Sequence, residues 1–449
     1  MRVTDMTHGR PIRLILLFSL PLMLGSAFQQ LYTIVDTIII GRGVGMQALA
    51  SIGAADWINW LVLWGLQGFT QGFAILAAQE FGAGAYDRLR RVLAMIIKLS
   101  CWFGIAVTII SLLLVRPLLT LLHTDPAVFG GAQTYLYVQF GGSLIIIAYN
   151  MAAAVLRCLG DSKTPLLAII AASFANIALD LLFVMRFGWG IFGASFATVL
   201  AQLIAFLLCL RSLRRLPFVQ LTKADWKTDP AILLHLCRLG IPTGLQMSMI
   251  TLGGMVLQSV LNGFGVVFVA GYTAANKLYG ILESASVAFG YAMTAYMGQN
   301  RGARNAARID AGIRAVLALS AGFTAAIVTA MLLAGKPLLG LFLSTEEAGA
   351  ADALAVAYQY LMVLMAFLFA LFMLQAYRSS LQGLGEMTVP TLSGFAEMLM
   401  RMGAALVLPT FIGQSGVFFA EGAAWVCAAA LNLVWYYIRI GKIKRDMLK

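Results

Sequence analysis

Gln79-Glu80-Phe81-Gly82-Ala83 returns as Gln299-Asn300-Arg301-Gly302-Ala303, at an offset of 220 along the chain. Arg116-Pro117-Leu118-Leu119 returns as Lys336-Pro337-Leu338-Leu339 at the same offset. Leu159-Gly160 and Thr164-Pro165 return as Leu384-Gly385 and Val389-Pro390 at offset 225, and Pro21 pairs with Pro242 at 221. Gly-Ala and Pro-Leu matches are cheap one at a time in an apolar chain. Several in order, at a nearly constant offset, indicate a duplication. The seam lies in the polar stretch 211–238, where Pro217, Trp226 and Pro230 stand among charges.

Around these matches the sequence reads as apolar runs of the length that crosses a bilayer, about 20 residues each. Breaks at charge, Gly and Pro clusters give twelve spans, at 14–40, 48–77, 92–115, 132–156, 165–185, 190–210, 239–262, 266–296, 313–335, 353–377, 388–412 and 416–438. Several run well beyond the minimum crossing length, so tilt or projection from the bilayer is expected. Each half then holds six helices. An even number leaves both halves in one orientation, related by an axis along the membrane normal. The expected architecture is an all-α polytopic membrane protein, two six-helix bundles around a central cleft whose exposure alternates as they rock. The expected division is an N-lobe over 1–215, a cytoplasmic linker over 216–238 and a C-lobe over 239–449.

Composition excludes the soluble alternatives. Of 449 residues 61% are apolar and 11% charged, where a soluble domain carries about 25% charged residues. The net charge of +12 resembles a nucleic-acid signal, but the basic residues lie in short runs between apolar stretches. With the N-terminus inside, only Arg42, Arg116, Arg186 and Lys336 fall outside and Lys277 and Arg401 fall within spans, which leaves 25 of 31 basic residues on the cytoplasmic side. That bias supports a multi-pass membrane protein with both termini in the cytoplasm, and no nucleic-acid partner. The five cysteines are odd in number, form no CxxC and lie in or beside apolar segments, so they read as small buried side chains. The first apolar run is too long for a cleavable signal peptide.

Chemistry is sought in the polar residues inside the spans. A carboxylate at the bilayer centre costs roughly 2.5–3.5 kcal/mol on insertion scales, so an embedded acid is a candidate site. Asp36, Asp180, Glu283 and Glu397 are well embedded, whereas Asp56, Glu80 and Glu421 lie nearer span ends. Asp36 shares one helical face with Gln29, Tyr32 and Thr33 in the first span. Asn176 precedes Asp180 by one turn in the fifth, and Ser195, Thr198 and Gln202 form a stripe in the sixth. None of these three spans has a Lys or Arg at matching depth, so the carboxylates need a proton, a metal cation or water. Two carboxylates, an amide and a hydroxyl also make a plausible oxygen cage for sodium. The competing reading is a polar cluster that only ties helices together.

In the second half, Glu397 and Arg401 are spaced as an i,i+4 ion pair, with either a packing or a gating role. Glu283 shares a face with Asn276 and Tyr279, and either meets a cationic substrate or pairs with Lys277. The repeat offset maps Asp36 near Val256–Leu257 and Asp180 near Ala405, which confines the acid pair to the first half. Pro21 removes a backbone hydrogen bond inside the first span and marks a kink, a hinge or a helix start.

Other signatures fail. Gly188-Trp189-Gly190-Ile191-Phe192-Gly193 fits GxGxxG but follows no strand, so it reads as a tight turn. No GxxxxGK[ST] is present to suggest ATP, and His8, His123 and His235 are scattered. The glycines at 65, 68 and 72 read as close helix packing.

The chain resembles the multidrug and toxic compound extrusion (MATE) transporters over essentially its whole length. The matching stretches are Gln29-Gln30-Leu31-Tyr32-Thr33-Ile34-Val35-Asp36, Ala78-Gln79-Glu80-Phe81-Gly82-Ala83-Gly84, Leu156-Arg157-Cys158-Leu159-Gly160-Asp161-Ser162-Lys163-Thr164-Pro165 and Asn176-Ile177-Ala178-Leu179-Asp180. The second half adds Gly298-Gln299-Asn300-Arg301-Gly302-Ala303 and Leu381-Gln382-Gly383-Leu384-Gly385. The resemblance implies no enzyme, but a secondary antiporter that exports organic cations or drugs, driven by inward H+ or Na+ and needing no other cofactor. It puts the coupling-cation site at Asp36, Asn176, Asp180 and Thr198, with Na+ as one candidate occupant. It matches Pro21 to the proline at which the first helix is proposed to bend. Gln29, Tyr32, Gln202, Glu283, Glu397 and Arg401 remain candidates for substrate contact or gating. One branch of the family has an essential glutamate in helix 7 and an aspartate in helix 10. Those spans here carry Gln246, Gln258 and Gln375 but no acid. A monomer is expected, with small organic cations and the bilayer as partners. The alternatives are a flippase for a lipid-linked precursor, which wants a cationic cleft, and a membrane-embedded enzyme. Lys277 and Arg401 are the only cations available to the first, and the scattered histidines disfavour the second.

Overall fold

The computed structural model describes residues 3–342 and 349–448. Among the described residues all regular structure is helical: α1 Pro11–Gly43, α2 Met46–Gly82, α3 Tyr86–Leu121, α4 Pro126–Gly141, α5 Ser143–Cys158, α6 Lys163–Asp180, α7 Gly190–Arg214, α8 Pro230–Asn262, α9 Val266–Gly302, α10 Ala306–Gly340, α11 Ala350–Gly383, α12 Thr388–Ile412 and α13 Phe419–Leu448. These thirteen helices cover the twelve expected spans. The fourth span, expected to be continuous, is instead broken at Gly142 into α4 and α5, bent by 51°. A Cβ on Gly142 would lie 2.5 Å from Val199 Cγ2, so the break brings backbone against α7 where no side chain fits. Ten helices are long and apolar enough to cross a membrane, and the bent pair makes an eleventh. Outside that set lies α9, 37 residues long, whose apolar run is interrupted by Asn276, Lys277 and Glu283.

The duplication is written in the backbone. Gly45, Gly160 and Gly188 have φ of 113°, 91° and 68°, and their counterparts Gly265, Gly385 and Gly413 have 89°, 72° and 71°. At Gly84 the left-handed turn (φ 67°) recurs as Arg304 (φ 55°). Such turns strongly favour glycine, so their recurrence at offsets of 220 and 225 fixes equivalent corners in both halves.

The chain divides into two compact units, Met1–Asp5 with Leu20–Gly244, and Met6–Ser19 with Leu245–Lys449. In the first unit, Ala55, Ile58, Val115, Leu119, Leu136 and Phe140 form a core between α2, α3 and α4. Tyr149, Leu156, Ala168, Ala205 and Cys209 form another between α5, α6 and α7. A third joins α1 to α2, α7 and the turn after α6 through Ile39, Ile40, Ala48, Val184 and Ala194. The start of α8 crosses α2 closely: a Cβ on Gly72 would lie 2.5 Å from Gly240 Cα.

The polar stretch before α8 is docked on this unit. Lys98 Nζ donates to Trp226 O at 2.6 Å and to Thr228 Oγ1 at 2.8 Å. Asp225 accepts from the Thr222 amide and hydroxyl, both at 2.7 Å, and faces Arg90 at 3.7 Å. Burial works against the Asp225 carboxylate, but the Thr222 hydrogen bonds and the guanidiniums of Arg90 and Arg91 outweigh it and hold the group below the usual carboxylate range.

In the second unit, the chain before α1 is docked on the α9–α10 corner. Met6 is fully buried; its amide donates to Gln299 Oε1 at 2.9 Å, and its carbonyl accepts from Asn300 at 3.1 Å and Arg308 at 3.0 Å. Arg308 Nε also donates to Asn300 Oδ1 at 3.0 Å. The equivalent contact in the first unit is the Arg88 Nε–Glu80 Oε1 ion pair, likewise 3.0 Å. The repeat keeps the contact and exchanges the acid for an amide. Aromatic rings fill the second unit, among them Phe289 against Phe323 and Phe372.

Candidate functional site

In the first unit, α1, α6 and α7 bring together the four residues of the expected cation site. Asp180 is fully buried and ends the α-helical part of α6. The chain then widens into a π turn, Leu181–Arg186, a local distortion that is frequent at functional positions. With its amide oriented to satisfy both neighbours, Asn176 Nδ2 donates to Asp180 Oδ2 at 3.0 Å and Asn176 Oδ1 accepts from the Thr198 backbone N–H at 3.3 Å. Asn176 thus ties α6 to α7 and presents Asp180 to α1. There the Asp36 carboxyl lies within hydrogen-bonding reach of the Asp180 carboxyl. Two negative charges set near each other repel strongly where water is excluded, which favours a proton or cation shared between them. Asp36 Oδ1, Asp180 Oδ1 and Gln202 Oε1 are buried and receive no donor from the protein. The two orphan carboxyl oxygens, of Asp36 and Asp180, make a site that asks for positive charge.

The other expected residues divide. Tyr32 is close enough to both aspartates to feel their charges. Gln29 and Thr33 are exposed, and the Thr33 hydroxyl donates to the Gln29 carbonyl within its own helix at 2.9 Å. The Thr198 hydroxyl also turns to its own helix, donating to Ala194 O at 3.2 Å, so Thr198 meets the site through its backbone. Pro21 lies inside α1, just past the boundary between the two units.

The cluster is larger than the sequence reading made it. Asp56 on α2, placed there among the less telling acids, is close enough to Asp36 to interact electrostatically. Tyr135 on α4 and Asn59 on α2 were not singled out. Tyr135 senses Asp36, Asp56 and Tyr32 while accepting a 3.2 Å hydrogen bond from Asn59. The repeat carried a signal for them: Tyr135 returns as Tyr360 at offset 225 and Asp56 as Asn276 at 220, and the Tyr360 hydroxyl donates to Asn276 Oδ1 at 3.2 Å.

The second unit holds a different arrangement. Glu397 and Arg401 do pair, at 3.2 Å, but within a larger network. Arg378 contacts the other Glu397 oxygen at 2.6 Å, and Arg401 reaches Glu421 at 2.8 Å and the Ile250 carbonyl at 2.9 Å. The sequence reading put Arg378 among the cytoplasmic loop charges and Glu421 among the less telling acids. Both belong to this network, and Arg378 is only 3% exposed inside α11. Glu283 is half-buried one turn after Tyr279 on α9, and the Tyr279 ring stacks on Trp425 of α13. Lys277, the pairing partner considered from sequence, is exposed, and no ion pair joins it to Glu283 among the described residues.

Comparison with known proteins agrees with this architecture. The family model MatE matches residues 21–182 and 242–407, one match in each half. "Probable multidrug resistance protein YpnP" of Bacillus subtilis (strain 168) is 33% identical, covering 99% of this chain and 98% of that one. "Multidrug export protein MepA" of Staphylococcus aureus (strain NCTC 8325 / PS 47) is 22% identical over 94% of this chain and 93% of its own. Among solved structures, a MATE protein in the bent conformation superposes with a TM-score of 0.89 at 24% identity, covering 99% of this chain and 98% of that one. A MOP superfamily transporter from Pyrococcus furiosus, for which a reversed polarity of the binding pocket is described, superposes at 0.90 with 25% identity, covering 98% of each chain. Solved neighbours of this kind are described as transporters. With matches in both halves and a curated relative aligned nearly end to end, this multi-pass membrane protein belongs to the MATE family of transporters.

Proposed function

We propose that the protein is a multidrug exporter that exchanges organic cations for an inward-moving cation carried at Asp36 and Asp180. The facing carboxyl pair with its orphan oxygens carries this reading. Asn176 is already committed, by its Nδ2 to Asp180 and by its Oδ1 to Thr198, and the Thr198 hydroxyl to Ala194. The oxygens left over belong to the two carboxyls, a set better suited to a proton than to a many-coordinate sodium ion. Among the described residues no group of three or more His, Cys, Asp or Glu side chains is placed to hold a metal ion. Protonation bridges the pair and holds α1 to α6; loss of the proton sets two negative charges face to face and favours their separation. Each charge that crosses 100 mV supplies about 2.3 kcal/mol for the cycle.

Inverted membrane vesicles that take up ethidium test this. A pH gradient alone drives uptake, and a sodium gradient alone does not. Asp36→Asn and Asp180→Asn each insert normally and lose gradient-driven uptake. Normal transport by both variants rejects the site, and uptake that follows sodium alone rejects the proton. A lipid-precursor flippase is not favoured. It needs cationic groups for a diphosphate, and Arg401 is committed to Glu397 and Glu421. The protein then works as a monomer in the bacterial cytoplasmic membrane with both termini inside, as the basic residues direct.

A further inference from the structure

The duplication leaves one corner filled in the first unit and open in the second. In the first unit Phe81 of α2, Tyr86 of α3 and Phe218 of the polar stretch before α8 pack together, with ring centroids 5.4, 5.4 and 6.3 Å apart. The repeat offsets of 220 and 225 carry these positions to Arg301, Ala306 and Ile443. One guanidinium and two smaller apolar side chains replace three rings. At Arg301 and Ile443 the second unit has a pocket of about 230 Å³, lined also by Arg304, Glu386, Asp446 and Met447.

Ion pairs hold its walls. Arg439 Nη2 of α13 donates to both Glu386 oxygens, at 3.1 and 3.4 Å, and Lys444 pairs with Asp310 of α10. Glu386 is therefore already neutralised. Among the described residues no ion pair and no side-chain hydrogen bond holds Arg301, Arg304 or Asp446. Arg304 also keeps a left-handed backbone (φ 55°) where the first unit has Gly84. That backbone favours glycine, so what recommends arginine there is its side chain. The uncommitted lining carries two positive charges and one negative, beside the apolar Ile443 and Met447. Two guanidiniums on one pocket match the paired oxygens of a phosphate, and a carboxylate beside them can accept from a hydroxyl. The space is smaller than the roughly 300–1,000 Å³ of a site for a drug-sized molecule.

We propose that the second unit binds a phosphate ester at this corner, with Arg301 and Arg304 on the phosphate and Asp446 on a hydroxyl of the alcohol. A phospholipid headgroup and a soluble phosphate ester share this chemistry. The test reads binding and not transport, so its failure leaves the exporter reading standing.

Native mass spectrometry of the purified full-length protein in a neutral detergent tests it, with short-chain phosphatidylglycerol and glycerol 3-phosphate as probes. The wild type is expected to carry one more bound molecule than Arg301→Gln/Arg304→Gly, whose affinity at this site falls by at least about tenfold with two charge-assisted hydrogen bonds removed. Arg304→Gly relaxes the left-handed corner, so this variant should unfold no earlier than Arg301→Gln alone. Arg301→Phe/Ile443→Phe returns two rings of the first unit and should fill the pocket and lose the same molecule. A site that takes phosphatidylglycerol alone belongs to a lipid headgroup, and one that takes glycerol 3-phosphate belongs to a soluble ester. Equal binding of both probes by the wild type and Arg301→Gln/Arg304→Gly overturns the proposal, as does a wild type that binds neither. The arginine variant decides the matter if the phenylalanine variant fails to fold.

Discussion

Asn176 is the residue on which the acid pair turns, since one amide holds Asp180 by its nitrogen and α7 by its oxygen. Asn176→Ala removes a hydrogen bond to an ionisable carboxyl, an interaction worth about 1.5–3 kcal/mol, or roughly 10- to 100-fold in an equilibrium. The pH at which ethidium uptake in vesicles is half-maximal should therefore shift by about one to two units in this variant. Thr198→Ala should leave the same midpoint nearly unchanged, because Thr198 meets Asn176 through its backbone and its hydroxyl serves its own helix. Asp36, Asn176 and Asp180 were legible in the sequence as polar groups without a basic neighbour in two apolar spans. The backbone role of Thr198 was not, because composition does not tell which atom of a residue faces a neighbour. Asp56 was discounted, and Tyr135 missed, for another reason: distance along a span is a poor guide to depth when a helix such as α2 is 37 residues long.

Among the elements, periodicity and charge located the ten described helices that are long and apolar enough to cross a membrane, but not the bends in the chain. The break between α4 and α5 lies in an apolar stretch whose only mark is Gly141-Gly142, and its cause, the close approach of Val199, is tertiary. The π turn after Asp180 likewise has no local signature in Leu181–Arg186. The glycines of α2, read from sequence as close packing, do bring a helix near: Gly72 meets Gly240 of α8 backbone to backbone. A side chain there must push the helices apart, so Gly72→Val should cost about 1–3 kcal/mol and lower the midpoint of thermal unfolding in detergent. Gly53→Val, on the same helix with nothing within 4 Å, should unfold with the wild type. Equal midpoints for the two would show that α8 yields at this crossing.

At the scale of the whole molecule the duplication was legible because turn and proline positions, such as Gly160 and Gly385, recur at a nearly constant offset. The same reading could not show that the halves had diverged into an acid pair in one unit and an arginine-clamped network in the other. Asn176 and Arg401, separated by one repeat offset, occupy equivalent places with opposite chemistry. Orientation rests on the basic residues alone. Alkaline phosphatase fused at the C-terminus should be inactive and a fluorescent protein there bright, whereas phosphatase fused after Thr124 should be active; the reverse pattern would invert the topology. The make-up of the units also sets an order of events during synthesis. Met6–Ser19 is made well before the partners of Met6, at Asn300 and Arg308, which lie 294 and 302 residues downstream. At translation speeds of about 5–20 residues per second, this segment waits roughly 15–60 s for its binding site to exist. Assembly of the second unit therefore closes on a segment made long before the rest of it, and a ribosome that stalls before Arg308 leaves that segment with nowhere to dock.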